Sequence, residues 1–172
     1  MSRDFNELLG AQWESGKFLC VGLDPDYEKI PLLARTTGVR ESLTAFNRAA
    51  IDATKDVAAA FKPNSAFYEQ YGDEGFEALR ASIQYMQDQA PDVPVILDCK
   101  RGDIGSTNEY YARAAFEHLR ADAITVHPYT GQEGLSAFLS RPEKGIFVLC
   151  RTSNPGAREF QDLEVQGRPL YF

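Results

Sequence analysis

Five short apolar runs, each followed by a stretch with helical spacing, most limit what this chain can fold into. Lys17 to Leu23, Val57 to Phe61, Val93 to Cys99, Ala123 to Val126 and Gly145 to Cys150 read as strands. Between them, Glu41 to Asp56 carries Leu43, Phe46, Ala50 and Ala53 at three- and four-residue steps. Asp73 to Gln89 carries Phe76, Leu79, Ile83 and Met86 on one face, with Asp73 as a candidate N-cap. Ser106 to Arg120, with the stripe Tyr111, Ala114, Ala115 and His118, and Glu133 to Leu139 supply further helices. Near-continuous apolar strands alternating with helices predict an α/β fold with a parallel sheet covered by helices. Residues 2 to 14, with Phe5, Leu8, Leu9 and Trp13, read as a helix laid across one end. There is no repeat, linker or low-complexity segment, so residues 1–172 read as a single domain. A chain of that length can bury about 70% of its unfolded surface.

The chemically distinctive residues all fall where a predicted strand ends: Asp24 after the first, Lys62 after the second, Asp98 to Asp103 after the third, His127 after the fourth, Ser153 after the fifth. In (β/α)8 barrels the active site is built from those ends. A whole barrel takes about 250 residues. This chain therefore reads as about the first five βα units of such a barrel, cut short after the fifth strand.

The densest cluster is Asp98-Cys99-Lys100-Arg101-Gly102-Asp103, directly after the apolar run Val93 to Leu97. Side chains alternate along a strand, so Asp98 and Lys100 point one way and Cys99 the other. Gly102 permits a sharp turn before Asp103. Taken alone, each residue has an ordinary reading as well. The cluster can be a surface salt bridge, Lys62 can snorkel from a strand end, and Asp24 before Pro25 can close a turn. Ser153 can cap its own loop, His127 suits a structural role, and His118 suits packing.

Formal charge is −7, from 18 basic and 25 acidic residues, and no basic tract stands out. That argues against nucleic acid as a partner, since phosphate-backbone binding needs a clustered positive face. With 44% hydrophobic and 12% aromatic residues the chain is globular. It has no apolar run long enough for a membrane span and no signal-peptide core, which reads as cytoplasmic. Cys20, Cys99 and Cys150 are odd in number and lie in or beside predicted strands, which suits reduced thiols packed as small apolar groups. With His118 and His127 the only histidines and no Cys-x-x-Cys, no structural zinc site is expected.

Four motifs in order carry a resemblance. Gly22-Leu23-Asp24-Pro25, Phe61-Lys62-Pro63-Asn64, Asp98-x-Lys100-x-x-Asp103-Ile104-x-x-Thr107 and Cys150-Arg151-Thr152-Ser153-Asn154-Pro155-Gly156-Ala157 resemble the orotidine 5'-phosphate decarboxylases, the longer bacterial branch in particular. The resemblance runs from about residue 17 to about residue 165. It implies a carboxy-lyase of pyrimidine nucleotide synthesis that converts orotidine 5'-monophosphate to uridine 5'-monophosphate with no cofactor and no metal, as a homodimer. It also implies the site. Lys100 is the stabilising cation and proton donor, Asp98 stands beside the departing carboxylate, and Lys62 holds Asp98 and the ribose. Asp103 reaches in from the partner subunit together with Ile104 and Thr107, Asp24 binds a ribose hydroxyl, and Ser153 binds the pyrimidine amide edge.

Two other readings stay open. Related sugar-phosphate decarboxylases and aldolases carry the same Asp-x-Lys-x-x-Asp strand end and work through a metal. Alternatively, the chain is an inactive fragment: residues 1–172 by themselves are expected to lack turnover even with every named catalytic residue present, because no residue among them can be assigned to the phosphate grip that the family's last strands bring.

Overall fold

A computed structural model describes residues 3–172. Helix α1 (Phe5–Glu14) starts at Asp4, whose carboxylate accepts the N–H groups of Asn6 and Glu7, satisfying donors that a helix start leaves free. Ser2, included in the sequence expectation for this helix, lies outside the described residues.

Strands β1 (Leu19–Gly22), β2 (Ala58–Lys62), β3 (Ile96–Arg101), β4 (Ala123–Val126) and β5 (Gly145–Val148) follow at the five expected places. β1 pairs with β2, and β4 pairs with both β3 and β5, all in parallel. Single bridges at Phe61–Val95 and Asn64–Asp98 join β2 to β3. The strands thus run in sequence order around one parallel arc, the arrangement of a barrel wall.

Helices α2 (Val39–Thr54) and α4 (Gly72–Gln89) cover the outside of the arc, with short α3 (Ala66–Glu69) between them. Leu43, Ile51, Leu79, Ile83 and Met86 meet Phe61, Val95, Leu97, Ile124 and Val126 in the main core. Helix α5 (Gly105–Arg113) runs on into a π-helical turn over Ala114–His118. After β4 come α6 (Gly131–Gly134) and α7 (Ser136–Leu139), where one short helix was expected. After β5 come α8 (Ala157–Phe160) and a small antiparallel hairpin, β6 (Glu164–Val165) with β7 (Arg168–Pro169). Gln166 and Gly167 close the hairpin with φ of 54° and 76°, the left-handed pair that a tight two-residue turn requires.

The N-terminal ends of the strands are closed by α1. Phe5 packs on Ala60, Ile96 and Ala123 and sets its ring edge-on to Phe147, with centroids 5.7 Å apart. A Cβ on Gly145 would run into the Phe5 ring, so glycine is required there. Arg3 forks onto the fully buried Asp122 through two 2.8 Å bonds and also donates to the carbonyls of Pro91 and Val93. Among the described residues no helix is long and apolar enough to cross a membrane.

Several expectations shift. β3 begins at Ile96 rather than Val93 because Pro94 offers no N–H to a ladder. Asp73 is not the cap of α4. The helix starts at Gly72, with Asp73 in its first turn, where a negative charge still suits the positive end of the helix. Phe46 and Phe76 are exposed, and the buried face of α2 is Ser42, Leu43, Asn47 and Ile51. Polar contacts set that face: Asn47 Nδ2 donates to Tyr68 Oη and to Ser82 Oγ, each at 2.8 Å. His118 is exposed rather than packed. The wider π turn breaks the 3.6-residue period, and Ala112, Ala115 and Phe116 are buried instead. Trp13 likewise is exposed. Cys20 and Cys150 are exposed and only Cys99 is largely covered. The first two lie on or beside β1 and β5, the two strands of the parallel arc with a single paired neighbour each among the described residues.

Candidate active site

At the C-terminal end of β3, Asp98 is buried and three groups converge on it. Lys100 Nζ donates to Oδ1 at 2.6 Å, Thr125 Oγ1 donates to the same oxygen at 2.8 Å, and Lys62 Nζ donates to Oδ2 at 3.3 Å. Burial works to raise the Asp98 pKa. The hydrogen bonds from Lys100 and Thr125, with the charges of Lys100 and Lys62, outweigh it and hold the carboxyl below its ordinary value. Asp98 is therefore a carboxylate at neutral pH, with an ammonium on each side. The two lysine side chains stay about one third and one half exposed, so both can meet a ligand arriving from the open end.

The main chain locks β2 and β3 together here. Asp98 N–H donates to Pro63 O, and Ser65 N–H donates to Asp98 O. Asp24 joins from β1: its Oδ1 accepts the N–H of Asn64 at 3.0 Å. The strand end before it is held by Tyr68, whose buried hydroxyl donates to Leu23 O at 2.7 Å while accepting from Asn47. Burial pushes the Tyr68 phenol far above its usual pKa, so it stays protonated as that donor.

Asp103 follows on a loop clamped by the fully buried Asn108. Asn108 Oδ1 accepts the Asp103 N–H at 3.0 Å, and its Nδ2 donates to Asp103 O and to Gly134 O at 2.7 and 2.6 Å. The Asp103 carboxylate accepts the N–H of Ile104 at 2.7 Å. Among the described residues it pairs with neither Lys62 nor Lys100. Ile104 is 65% exposed and Thr107 is half-buried in the first turn of α5.

The structure brings Lys62, Asp98, Lys100 and Asp24 to one strand-end layer, with Asp103 on the next loop. Ser153 is exposed on the loop after β5, and no described contact joins it to the lysines. Thr152 and Gln161 brace that loop, with Thr152 N–H donating to Gln161 Oε1 at 2.7 Å and Gln161 Nε2 donating back to Thr152 Oγ1 at 2.8 Å. The His127 ring packs against Gly102, where a Cβ would collide. Close approach, rather than turn geometry, is thus the reason for glycine at 102.

Burial puts the Cys99 thiol at about 11, which leaves it inert near neutral pH. Arg101 is held away from the cluster, pairing with Glu69 at 2.7 Å and stacking over Tyr111. Thr125, Asn108, Tyr68 and Asn47 were not singled out in the sequence. The one available signal was a polar residue inside each apolar segment, and a threonine within a strand is too ordinary to stand out.

Known proteins match nearly the whole chain. The orotidine 5'-phosphate decarboxylase of Cupriavidus taiwanensis is 50% identical over 169 residues, which are 97% of this chain and 60% of that protein. The one from Thermomicrobium roseum is 53% identical over 163 residues, 92% of this chain and 55% of that protein. The chain thus spans about 60% of the length of the relatives it matches. Among solved structures, the OMP decarboxylase of Leishmania donovani superposes with a TM-score of 0.86 at 40% identity, covering 98% of this chain and 62% of that one. A putative orotidine-monophosphate decarboxylase from Toxoplasma gondii gives a TM-score of 0.90 at 41% identity, with 98% and 57% covered. The five βα steps are therefore part of a (β/α)8 barrel. Since the model of the orotidine 5'-phosphate decarboxylase / HUMPS family matches residues 17–170, containing all four motifs, the chain belongs to that family.

Proposed function

We propose that the protein decarboxylates orotidine 5'-monophosphate to uridine 5'-monophosphate by electrostatics alone, without metal or organic cofactor. The observation that carries this reading is the alternating Lys62–Asp98–Lys100 array at the mouth of the arc. When the bond from C6 to its carboxylate breaks, carbon dioxide leaves and the electron pair stays on C6. An ammonium beside that carbon stabilises the charge and can then transfer its proton to it. Lys100 takes that role, being the more exposed of the two lysines and the closer to Asp98. Asp98 stands next to the departing carboxylate, and Lys62 keeps Asp98 ionised and in place. Asp24 binds a ribose hydroxyl and Ser153 the pyrimidine edge.

The reading includes a cytoplasmic homodimer in which Asp103, Ile104 and Thr107 complete the partner's site. The exposed Ile104, and an Asp103 clamped by its backbone with no lysine partner among the described residues, support that arrangement. The three free cysteines suit a reducing compartment.

The test is turnover of orotidine 5'-monophosphate by purified protein before and after exhaustive chelation. Unchanged turnover is expected; a strict need for a divalent ion would favour the sugar-phosphate branch of the family. The shared site is tested by mixing Asp103→Ala with Lys100→Ala subunits, which should restore activity because one of the two sites in the mixed dimer has both groups intact. No recovery after verified subunit exchange would remove the shared site.

A further inference from the structure

The ladder between β3 and β4 is broken at one place. Leu97 pairs with Ile124 and Arg101 pairs with Val126, so Asp98, Cys99 and Lys100 stand opposite the single residue Thr125. Such a bulge leaves main-chain groups without ladder partners. Lys100 also has a φ of 47°, a left-handed conformation that strains a lysine and persists only where the surroundings enforce it.

The Thr125 side chain supplies what the ladder lacks. Its oxygen accepts the N–H of Cys99 at 2.9 Å and the N–H of Lys100 at 2.9 Å, and its hydroxyl proton goes to Asp98 Oδ1. One donor and two acceptor positions are all that a hydroxyl has, and all three are used on consecutive residues of the bulge. We propose that Thr125 is the positioning residue of this site, its hydroxyl folding the strand end back so that the Lys100 ammonium meets the Asp98 carboxylate. The same oxygen that fixes the backbone at residues 99 and 100 also aims the Asp98 carboxylate toward which the Lys100 ammonium reaches. Valine at this place would keep the shape of the strand and lose all three bonds.

The inference rests on the decarboxylase reading for its kinetic arm, and a second arm is independent of it. Thr125→Val and Thr125→Ser are compared with the unmodified protein by amide hydrogen exchange and by steady-state kinetics. In the valine variant the Cys99 and Lys100 amides should exchange about tenfold faster, the worth of one hydrogen bond. Its kcat should fall about 100-fold, the usual result of displacing a reacting group by about an ångström, with little change in KM. Serine should restore both. If the valine variant does not fold, Thr125→Ala takes its place.

Unchanged exchange at both amides in the valine variant would overturn the proposal, as would equal losses in the serine and valine variants. Faster exchange with kcat intact would reduce Thr125 to a purely structural role and overturn the positioning claim. If the unmodified protein does not turn over orotidine 5'-monophosphate, the decarboxylase reading fails while the exchange arm still decides what Thr125 holds.

Discussion

Two buried aspartates sit at opposite ends of the arc and differ mainly in the cations that meet them. At the closed floor, Asp122 is fully buried, forked by the Arg3 guanidinium, and also accepts the N–H of Val95 at 2.9 Å. At the open mouth, Asp98 is buried to a similar degree but faces two lysines that remain partly exposed. A guanidinium is planar, holds a carboxylate in one geometry and keeps its protons. A lysine ammonium is a compact charge on a flexible stem and can give a proton up. The same ion-pair chemistry thus makes a clasp at one end and, at the other, the array to which the proposed decarboxylation assigns its chemistry.

The sharpest way to break that comparison is Lys100→Ala. It should lower decarboxylation by many orders of magnitude, because stabilisation of C6 and its protonation disappear together, while the melting temperature moves little. Lys100→Arg should not rescue turnover, since the guanidinium keeps the charge and withholds the proton. Rapid kinetics of each variant, alongside thermal unfolding, check this. Near-normal turnover in either variant would mean that Lys100 is not the proton donor.

Asp122→Ala should do the reverse. Removing one partner of a buried ion pair typically costs about 3–5 kcal/mol, and here Arg3 and the Val95 N–H would both be left without their partner. Denaturant unfolding should show a loss of that order, whereas kcat at a permissive temperature should stay close to that of the unmodified protein. Arg3→Lys, which cannot fork, should fall between the two. A large fall in kcat for folded Asp122→Ala would show that floor and mouth are coupled.

The mouth was more legible in the sequence than the floor, for a physical reason. Asp24, Lys62 and Asp98 to Asp103 are charges placed where apolar runs stop, and short-range pattern is enough to notice them. The Arg3–Asp122 clasp joins residues 119 apart in sequence, and nothing near either residue marks it. The helices were found by spacing, but their buried faces were misassigned where polar groups or an irregular turn decided the packing. Asn47 and Ser82 turn α2 and α4 so that Phe46 and Phe76 face solvent. The π turn at Ala114–His118 moves His118 off the apolar stripe. Thr125 was invisible because a β-branched residue in a strand is normal, and its function lies in a three-against-one register that only the paired strand reveals.

The smallest expected effect is on acid stability. The Asp98 carboxyl has its pKa lowered in the folded protein, by the hydrogen bonds and charges of Lys100, Thr125 and Lys62 acting against burial. A depressed carboxylate adds stability that is present above its unfolded pKa, near 3.9, and is lost as pH falls through its folded value, because the unfolded chain then takes up the proton first. Asp98→Asn cannot ionise, so it lacks this component and also leaves two ammoniums facing an amide. It should be less stable than the unmodified protein at pH 7, and the gap should narrow below about pH 4. The narrowing should be modest, since burial opposes the lowering at Asp98; Asp26, Asp52, Glu77, Glu109 and Asp162 are lowered in both proteins and cancel from the difference. Equilibrium unfolding of the two proteins between pH 7 and pH 3 measures it. A gap that stays constant across that range would mean that the lysines do not hold Asp98 ionised, and the alternating array would lose its electrostatic basis.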